Sequence, residues 1–278
     1  MGLFSKETCE FCGKEVGALK RSKLATKEYI CNDCRKKVNY FARMDYTSKE
    51  NVQIMMDVLR QDEEDFEKSF DAAEGRFARA ERSYRTWDLG SKRVQYRCNT
   101  SLGAFQLLLD DMSHYEHVPV FWFSRMMPYE FQSNDAMFAD MRRSKMMDAN
   151  AEYVEVKEEK GDDGKVKRCT LVIPYDDICI REVRIESDIS NENEAEAFHS
   201  LADEINGDRR TWLEKSEFDQ VQKNKMQVRN LGDTAAEALK TAIKGGDVAD
   251  VLKKGVETAN EIEEGKVKRG FFGKLFKK

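Results

Sequence analysis

Four cysteines carry the clearest chemistry in this sequence. Cys9 and Cys12 form one Cys-x-x-Cys pair, Cys31 and Cys34 form a second, and eighteen residues separate the two. Two intervening residues let a tight turn aim both sulfurs at one ion, and two such turns complete a tetrahedron. Gly13, directly after Cys12, supplies the backbone freedom that such a turn needs. The spacing predicts a zinc ribbon with Cys9, Cys12, Cys31 and Cys34 as ligands, in preference to redox pairs or disulfides. Four sulfurs leave no open coordination position, so the Zn2+ is expected to be structural. A segment of about 40 residues buries too little apolar surface to fold alone, and the metal would supply the missing free energy.

The remaining chemically capable residues form no comparable set. Cys98, Cys169 and Cys179 lie in β-like segments and read as core thiols. The three histidines, His114, His117 and His199, are too separated for an obvious catalytic centre. His114 and His117 have a spacing that permits a shared metal, but a loop pair is the expectation. Asp110-Asp111 and Asp176-Asp177 read as turn residues. There is no glycine-rich phosphate loop, no Gly-x-Ser-x-Gly elbow and no His-Glu-x-x-His. These absences make a hydrolase or transferase unsupported, and no small-molecule substrate is evident.

Composition narrows the class further. The chain has 278 residues, 36% charged and 40% hydrophobic, with a net charge of -5. A generic nucleic-acid binder would be basic. Around the ribbon, however, Lys14, Lys20, Arg21, Lys23, Lys27, Arg35, Lys36 and Lys37 face only Glu15, Glu28 and Asp33. That local excess keeps an acidic partner or nucleic acid in view, with a solvated surface as the simpler reading. Phe11, Tyr29, Tyr40 and Phe41 are expected to pack rather than stack on bases. No stretch reaches the roughly 18–20 apolar residues of a membrane-spanning helix. Met1 to Lys6 leave no room for a signal-peptide core, so a cytosolic location is expected.

The elements that must position these residues follow from periodicity. Thr47-Ser-Lys-Glu50 has the capping-box pattern, and apolar positions recur from Val52 through Met55, Leu59, Phe66, Phe70, Ala73, Phe77 and Ala80 to Tyr84. This predicts a helical spacer, with a break at Asp62-Glu63 where the stripe skips a turn. Arg76, Arg79, Arg82 and Arg85 read as its solvated face. Strands are expected at Arg93–Cys98, Ala104–Leu109, Pro119–Phe123, Ala151–Lys157, Val166–Ile173 and Ile178–Ile185, with a hairpin at Lys160-Gly-Asp-Asp-Gly164. Asn191 with Glu194 caps a helix whose apolar face is Phe198, Leu201, Ala202 and Ile205, and Asn206-Gly207 is expected to end it. Beyond it a weakly amphipathic helical extension is interrupted at Gly232 and Gly245-Gly246.

Cys9-Glu-Phe-Cys12-Gly13 with Tyr29-Ile-Cys31-Asn-Asp-Cys34-Arg35 resembles an N-terminal zinc-ribbon family of unknown function found in bacterial proteins. Val120-Phe-Trp-Phe-Ser-Arg-Met-Met127, Thr170-Leu-Val-Ile173 and the helix at Ala197 to Ile205 are similar to bacterial pleckstrin-homology-like domains, bent sheets capped by a C-terminal helix. The resemblance covers roughly residues 1 to 210. The long charged helix and a Met-rich insertion, Met137 to Met147, depart from it. It implies no catalytic residues. The expected class is α+β: a zinc ribbon at 1–40, a helical spacer at 41–90, a pleckstrin-homology-like antiparallel domain with capping helix at 91–210, a helical extension at 211–264 and a basic amphipathic tail at 265–278.

That tail carries the second functional signal. From Lys266 to Lys278 there are six basic residues and no acidic ones. On a helix Phe271, Phe272, Leu275 and Phe276 share a side, with Lys274, Lys277 and Lys278 beside them. Rings at the headgroup boundary and lysines on an anionic surface are what an interfacial anchor needs. A partner groove or the protein's own surface would also accept it. The expected function is a non-enzymatic zinc-binding adaptor or scaffold, peripheral at the inner face of the cytoplasmic membrane and contacting a protein partner. The alternative is a nucleic-acid-associated regulatory protein that binds through the basic ribbon.

Overall fold

The computed structural model describes residues 6–71, 82–128, 151–177, 179–243 and 248–263. The architecture is mixed α+β with several small antiparallel sheets. The chain divides into two compact units, residues 1–213 and 214–278.

The first unit opens with two short hairpins, β1 (Glu7–Thr8) with β2 (Glu15–Val16) and β3 (Arg21–Lys23) with β4 (Tyr29–Cys31). A four-residue turn of helix, α1 (Asn32–Arg35), follows at once. The loop after α1 folds back on Arg35. Its guanidinium donates to the carbonyls of Asn39 (2.9 Å), Tyr40 (2.9 Å) and Ala42 (3.0 Å). It also lies over the Tyr115 ring, 5.4 Å from the centroid. Phe41 then packs edge-on against Phe121 at 5.6 Å, so the same loop carries the ribbon onto the sheet behind it.

Helix α2 (Lys49–Asp71) is capped by Ser48, whose hydroxyl accepts from the Asn51 amide at 3.2 Å. The cap is one residue later than the capping-box pattern places it, because Thr47 instead donates its hydroxyl to the Arg43 carbonyl at 2.7 Å. Val52, Met55, Leu59 and Phe66 are buried. The helix does not break at Asp62-Glu63. The seven-residue step from Leu59 to Phe66 is two full turns, and Asp62 occupies the apolar register between them.

The expectation of a helix running on to Tyr84 fails. Arg82–Leu89 is strand β5, paired along its length with β6 (Lys92–Asn99). β7 (Ala104–Leu109) and β8 (Val120–Trp122) complete a four-stranded antiparallel sheet in the order β5-β6-β7-β8. A period of three cannot separate a helix from a strand once Arg82, Arg85 and Trp87 are read as polar and apolar positions. Arg76, Arg79, Phe77 and Ala80 lie outside the described residues, as does the Met137–Met147 insertion.

A three-stranded sheet follows, in the order β11-β10-β9, from β9 (Glu155–Lys160), β10 (Val166–Pro174) and β11 (Glu182–Asp188). Two of these strands start about four residues later than expected, since Tyr153 and Val154 are buried outside the ladder and Cys179 and Ile180 lie in a buried turn. The expected hairpin is present, with Gly164 at φ 73°. Cys98, Phe105 and Phe121 face one another across β6, β7 and β8, and Leu171, Ile173, Val183 and Ile185 join them from the second sheet. Phe198, Leu201, Ala202 and Ile205 of helix α3 (Glu192–Ile243) fill the same core. A variant of the capping box is formed: Asn191 Oδ1 accepts from the Glu194 amide (3.1 Å), and Glu194 reaches back to accept from the Ser190 amide (2.7 Å) and the Asn191 side-chain amide (2.8 Å).

Asn206-Gly207 does not end α3. Asn206 accepts from the Tyr153 amide at 3.1 Å, so a residue that reads as a stop is spent on a tertiary contact. A helical glycine costs only about 1 kcal/mol. The opposite face of the four-stranded sheet carries a second apolar cluster, Phe66 of α2 with Ala104 and Val120. At the β6–β7 turn Gly103 has φ 76°, and a Cβ there would lie 2.4 Å from the Trp212 indole nitrogen.

The second unit holds the rest of α3 and α4 (Val248–Glu263). Gly232 does not interrupt α3, and Gly245-Gly246 lie outside the described residues. Asn230 donates to the Gly255 carbonyl at 2.9 Å, and a Cβ on Gly255 would come within 2.6 Å of Thr234. No helix among the described residues is long and apolar enough to cross a membrane.

Arg35 gives the fold its sharpest test. Replacing it by alanine leaves three inward carbonyls without their donor, and a charged hydrogen bond is worth about 1.5–3 kcal/mol. Arg35→Ala should lower unfolding free energy by about 2–4 kcal/mol in urea titrations, and Arg35→Lys should recover little, since an ammonium cannot reproduce the fork. A loss below about 0.5 kcal/mol in Arg35→Ala would show that the loop is held by its aromatic contacts alone.

Candidate metal centre

The first cysteine pair sits in the turn of the β1–β2 hairpin. The Cys9 amide donates to Lys14 O and the Gly13 amide to Cys9 O, both at 2.9 Å. Gly13 has φ 71°, a conformation that a side chain resists, so the glycine is required by the turn itself. The Glu10 amide donates to Tyr29 O at 3.0 Å and ties this turn to β4. The second pair straddles the start of α1, where Cys31 is the N-cap and its sulfur accepts from the Cys34 amide at 3.4 Å.

These two turns bring all four sulfurs within 4.8 Å of one another. The Cys12 and Cys31 sulfurs are 3.7 Å apart. A tetrahedron with metal–sulfur bonds of about 2.3 Å has edges of about 3.8 Å, so the spacing suits one tetrahedral ion and is far too long for a disulfide bond of about 2.05 Å. All seven cysteines are free thiols. Cys9, Cys31 and Cys34 are buried, while Cys12 faces solvent.

The local electrostatics favour a cation. Burial opposes ionisation of Cys9, but the Cys31, Phe11 and Cys12 amides and the Cys12 side chain outweigh it and bring its pKa down to about 7. The Cys31 amide donates to the Cys9 sulfur at 3.3 Å. Cys31 and Cys34 move the other way: burial raises both, and for Cys34 the neighbouring thiols add to the rise. Several thiolates packed this closely repel one another unless a cation lies between them.

Among the described residues this is the one cluster of three or more potential ligands. His114 and His117 do not join one. His117 Nδ1 lies 2.8 Å from Glu63, which also accepts from the Val118 amide at 3.1 Å. His199 is exposed and lies 3.0 Å from Glu158. The acidic pairs are more than turn residues: Asp111 accepts from the Tyr40 hydroxyl (2.7 Å), Asp110 from the Arg93 amide (3.1 Å), and Asp177 pairs with Arg125 (2.7 Å). Cys98, Cys169 and Cys179 are buried, as expected. Phe271, Phe272, Lys274, Leu275, Phe276, Lys277 and Lys278 lie outside the described residues.

One chemically distinctive residue escaped the sequence reading. Burial holds the Asp62 carboxyl above the ordinary carboxylate range, against a hydrogen bond from the Trp122 side chain. Its signal was in the sequence: an acid in the apolar register of a helix.

Residues 6–35 therefore bring four thiols together in two tight turns that face one another, an arrangement that could hold a metal ion. Residues 7–55 match the family model described as a domain of unknown function (DUF4428). That span takes in the ribbon, the Arg35 loop and the first turns of α2. No curated protein and no solved structure matches the chain.

Metal binding near neutral pH must displace protons from Cys31 and Cys34, whose pKa values lie above the ordinary thiol range. Acidification protonates the competing thiolates, so affinity should fall as pH falls. Calorimetry in buffers of different ionisation enthalpy should register release of more than one proton per ion. A release of one proton or fewer would mean that fewer than four thiolates bind.

Proposed function

We propose that this protein is a non-enzymatic adaptor at the cytoplasmic membrane surface. In this reading the ribbon holds a structural Zn2+ and contacts a protein partner, and a basic C-terminal tail touches anionic lipid. Zinc is the ion best suited to a closed set of four thiolates, since it is tetrahedral and redox-inert. Four antiparallel strands, then three, then a helix is the element order of a pleckstrin-homology-like domain, and supports that assignment for the body. The membrane reading rests on one observation: Lys266 to Lys278 combine six basic residues with four large apolar ones and no acid.

The nucleic-acid alternative draws less support. Three lysines in and around the ribbon are matched by acids of the protein itself: Lys14 by Asp33 (3.6 Å), Lys37 by Glu116 (3.6 Å) and Lys49 by Glu10. Arg21 lies over the Tyr29 ring at 4.6 Å and donates to Val16 O. These contacts reduce the free positive surface that a phosphate backbone would need.

Co-sedimentation with liposomes tests the proposal. The full chain should pellet with vesicles containing anionic lipid, and not with neutral ones. A chain ending at Glu264 should stay in the supernatant with both. Failure of the full chain to pellet would remove the membrane from the proposal. Steeply salt-dependent binding of a DNA or RNA duplex would replace it with the alternative.

A further inference from the structure

Helix α2 does not lie flush on the body. Beside it runs a groove of about 680 Å³, within the range of ligand-binding cavities. Its apolar wall comes from Ile54, Val58 and Leu59 of α2, Val120 and Trp122 of β8, and Ile180 after β10. Ile54 and Val58 are one helical turn apart, and 49% and 45% exposed respectively. A surface helix normally turns polar residues to that position.

The groove has a charged end. Asp62, Arg125, Asp176 and Asp177 line it. Arg125 is already matched by Asp177 at 2.7 Å, and its backbone carbonyl accepts from the Asp176 amide at 2.8 Å. Asp62 makes no close ion pair among the described residues; the Trp122 side chain donates to it, and Arg125 acts on it at longer range. After the internal pair is discounted, two carboxylates remain beside an apolar floor. The floor is tied to its neighbours, since the Trp122 amide donates to the Tyr175 hydroxyl at 2.8 Å and the Asn39 amide to Met55 sulfur at 3.2 Å.

We infer that this groove binds a short peptide segment of a partner protein, in which an aliphatic or aromatic anchor is followed by a lysine or arginine. The anchor would lie along Ile54 and Val58, and the cation would meet Asp62. Charge complementarity selects the basic residue, since Asp62, Asp176 and Asp177 share the single cation Arg125 and an acidic or neutral segment would leave that excess negative charge unmatched. The half-exposed wall selects a chain over an enclosed small molecule, because the ligand can run on past the groove at its open side. The inference goes beyond the adaptor proposal and uses none of the tail. It is measured without lipid, so either can fail alone.

The probe is the fluorescein-labelled peptide Gly-Leu-Phe-Lys-Leu-Lys-amide, titrated with the full chain and followed by anisotropy. A control peptide carries glutamate in place of both lysines. Saturable micromolar binding of the basic peptide is expected, with the control at least about tenfold weaker. Asp62→Asn retains an acceptor for the Trp122 side chain and removes the charge; it should weaken binding about tenfold. Val58→Lys places a cation on the half-exposed wall, where folding tolerates it, and should abolish binding. Thermal melts of both variants should stay within a few degrees of the parent. Absence of binding, equal binding of the control peptide, or binding unchanged in both variants would overturn the inference. So would a concentration-dependent dimer that Val58→Lys dissociates, which would make a second copy of the chain the occupant.

Discussion

Four sulfurs held within 4.8 Å of one another organise the N-terminal fifty residues. Neither hairpin of the ribbon is long enough to be stable alone, with two or three residues in each strand. What places them is the convergence of the Cys9–Cys12 and Cys31–Cys34 turns. Consequences propagate outward from that point. Cys31 caps α1, α1 presents Arg35, and Arg35 gathers the loop that seats Phe41 on the sheet. The start of α2 is tied to the ribbon as well, through the Lys49 amide to Thr26 (3.3 Å), the Ala25 amide to Thr47 O (3.1 Å) and the Lys49–Glu10 pair. The axis of α2, and with it the wall of the groove, is thus set partly by the ribbon.

What the sequence made legible was whatever local chemistry decides. Cysteine spacing located the ribbon because two intervening residues fit one turn and Gly13 permits it. Short runs of aromatic and branched residues between turn residues located β6, β7, β8 and β10, and β7 and β10 are buried along nearly their whole length. Asn191 and Glu194 marked the start of α3 because a capping box satisfies local donors.

The misreadings share a cause: distant residues outvoted local preference. Asn206-Gly207 reads as a helix stop, yet Tyr153 recruits Asn206 and the helix continues. Arg82 to Leu89 continues an apparent helical stripe, yet pairing with β6 and a brace from α3 hold it as a strand. Arg85 pairs with Glu204 (2.8 Å), and Tyr96 and Ser83 both reach Asp208. The apolar stripe skips a turn at Asp62, yet the helix runs on because Trp122, sixty residues away in sequence, supplies a donor to that carboxylate. Apart from the β5–β6 pairing itself, each of these partners is more than thirty residues distant, beyond any local window.

The described surface of the first unit also explains why the α2 groove stands out. Sheet edges are a common point of association, but two of the outer strands here are guarded. β9 is a charged edge, with Lys157 paired to Glu155 and Lys160 to Glu158, and β5 is braced by the Arg85 and Trp87 contacts to α3. The other exposed apolar side chains are single or covered. Tyr46 lies under the guanidinium groups of Arg43 and Arg181, Tyr84 reaches Gln95, and Leu19 stands alone at the edge of the ribbon. Isolated apolar residues on a surface need no explanation. Ile54 and Val58 differ because they adjoin each other, continue a buried wall, and end at a carboxylate held in place by an indole. Exposed apolar area, hydrogen-bonded neighbours and an oriented charge thus come together where the helix that follows the ribbon meets the sheet.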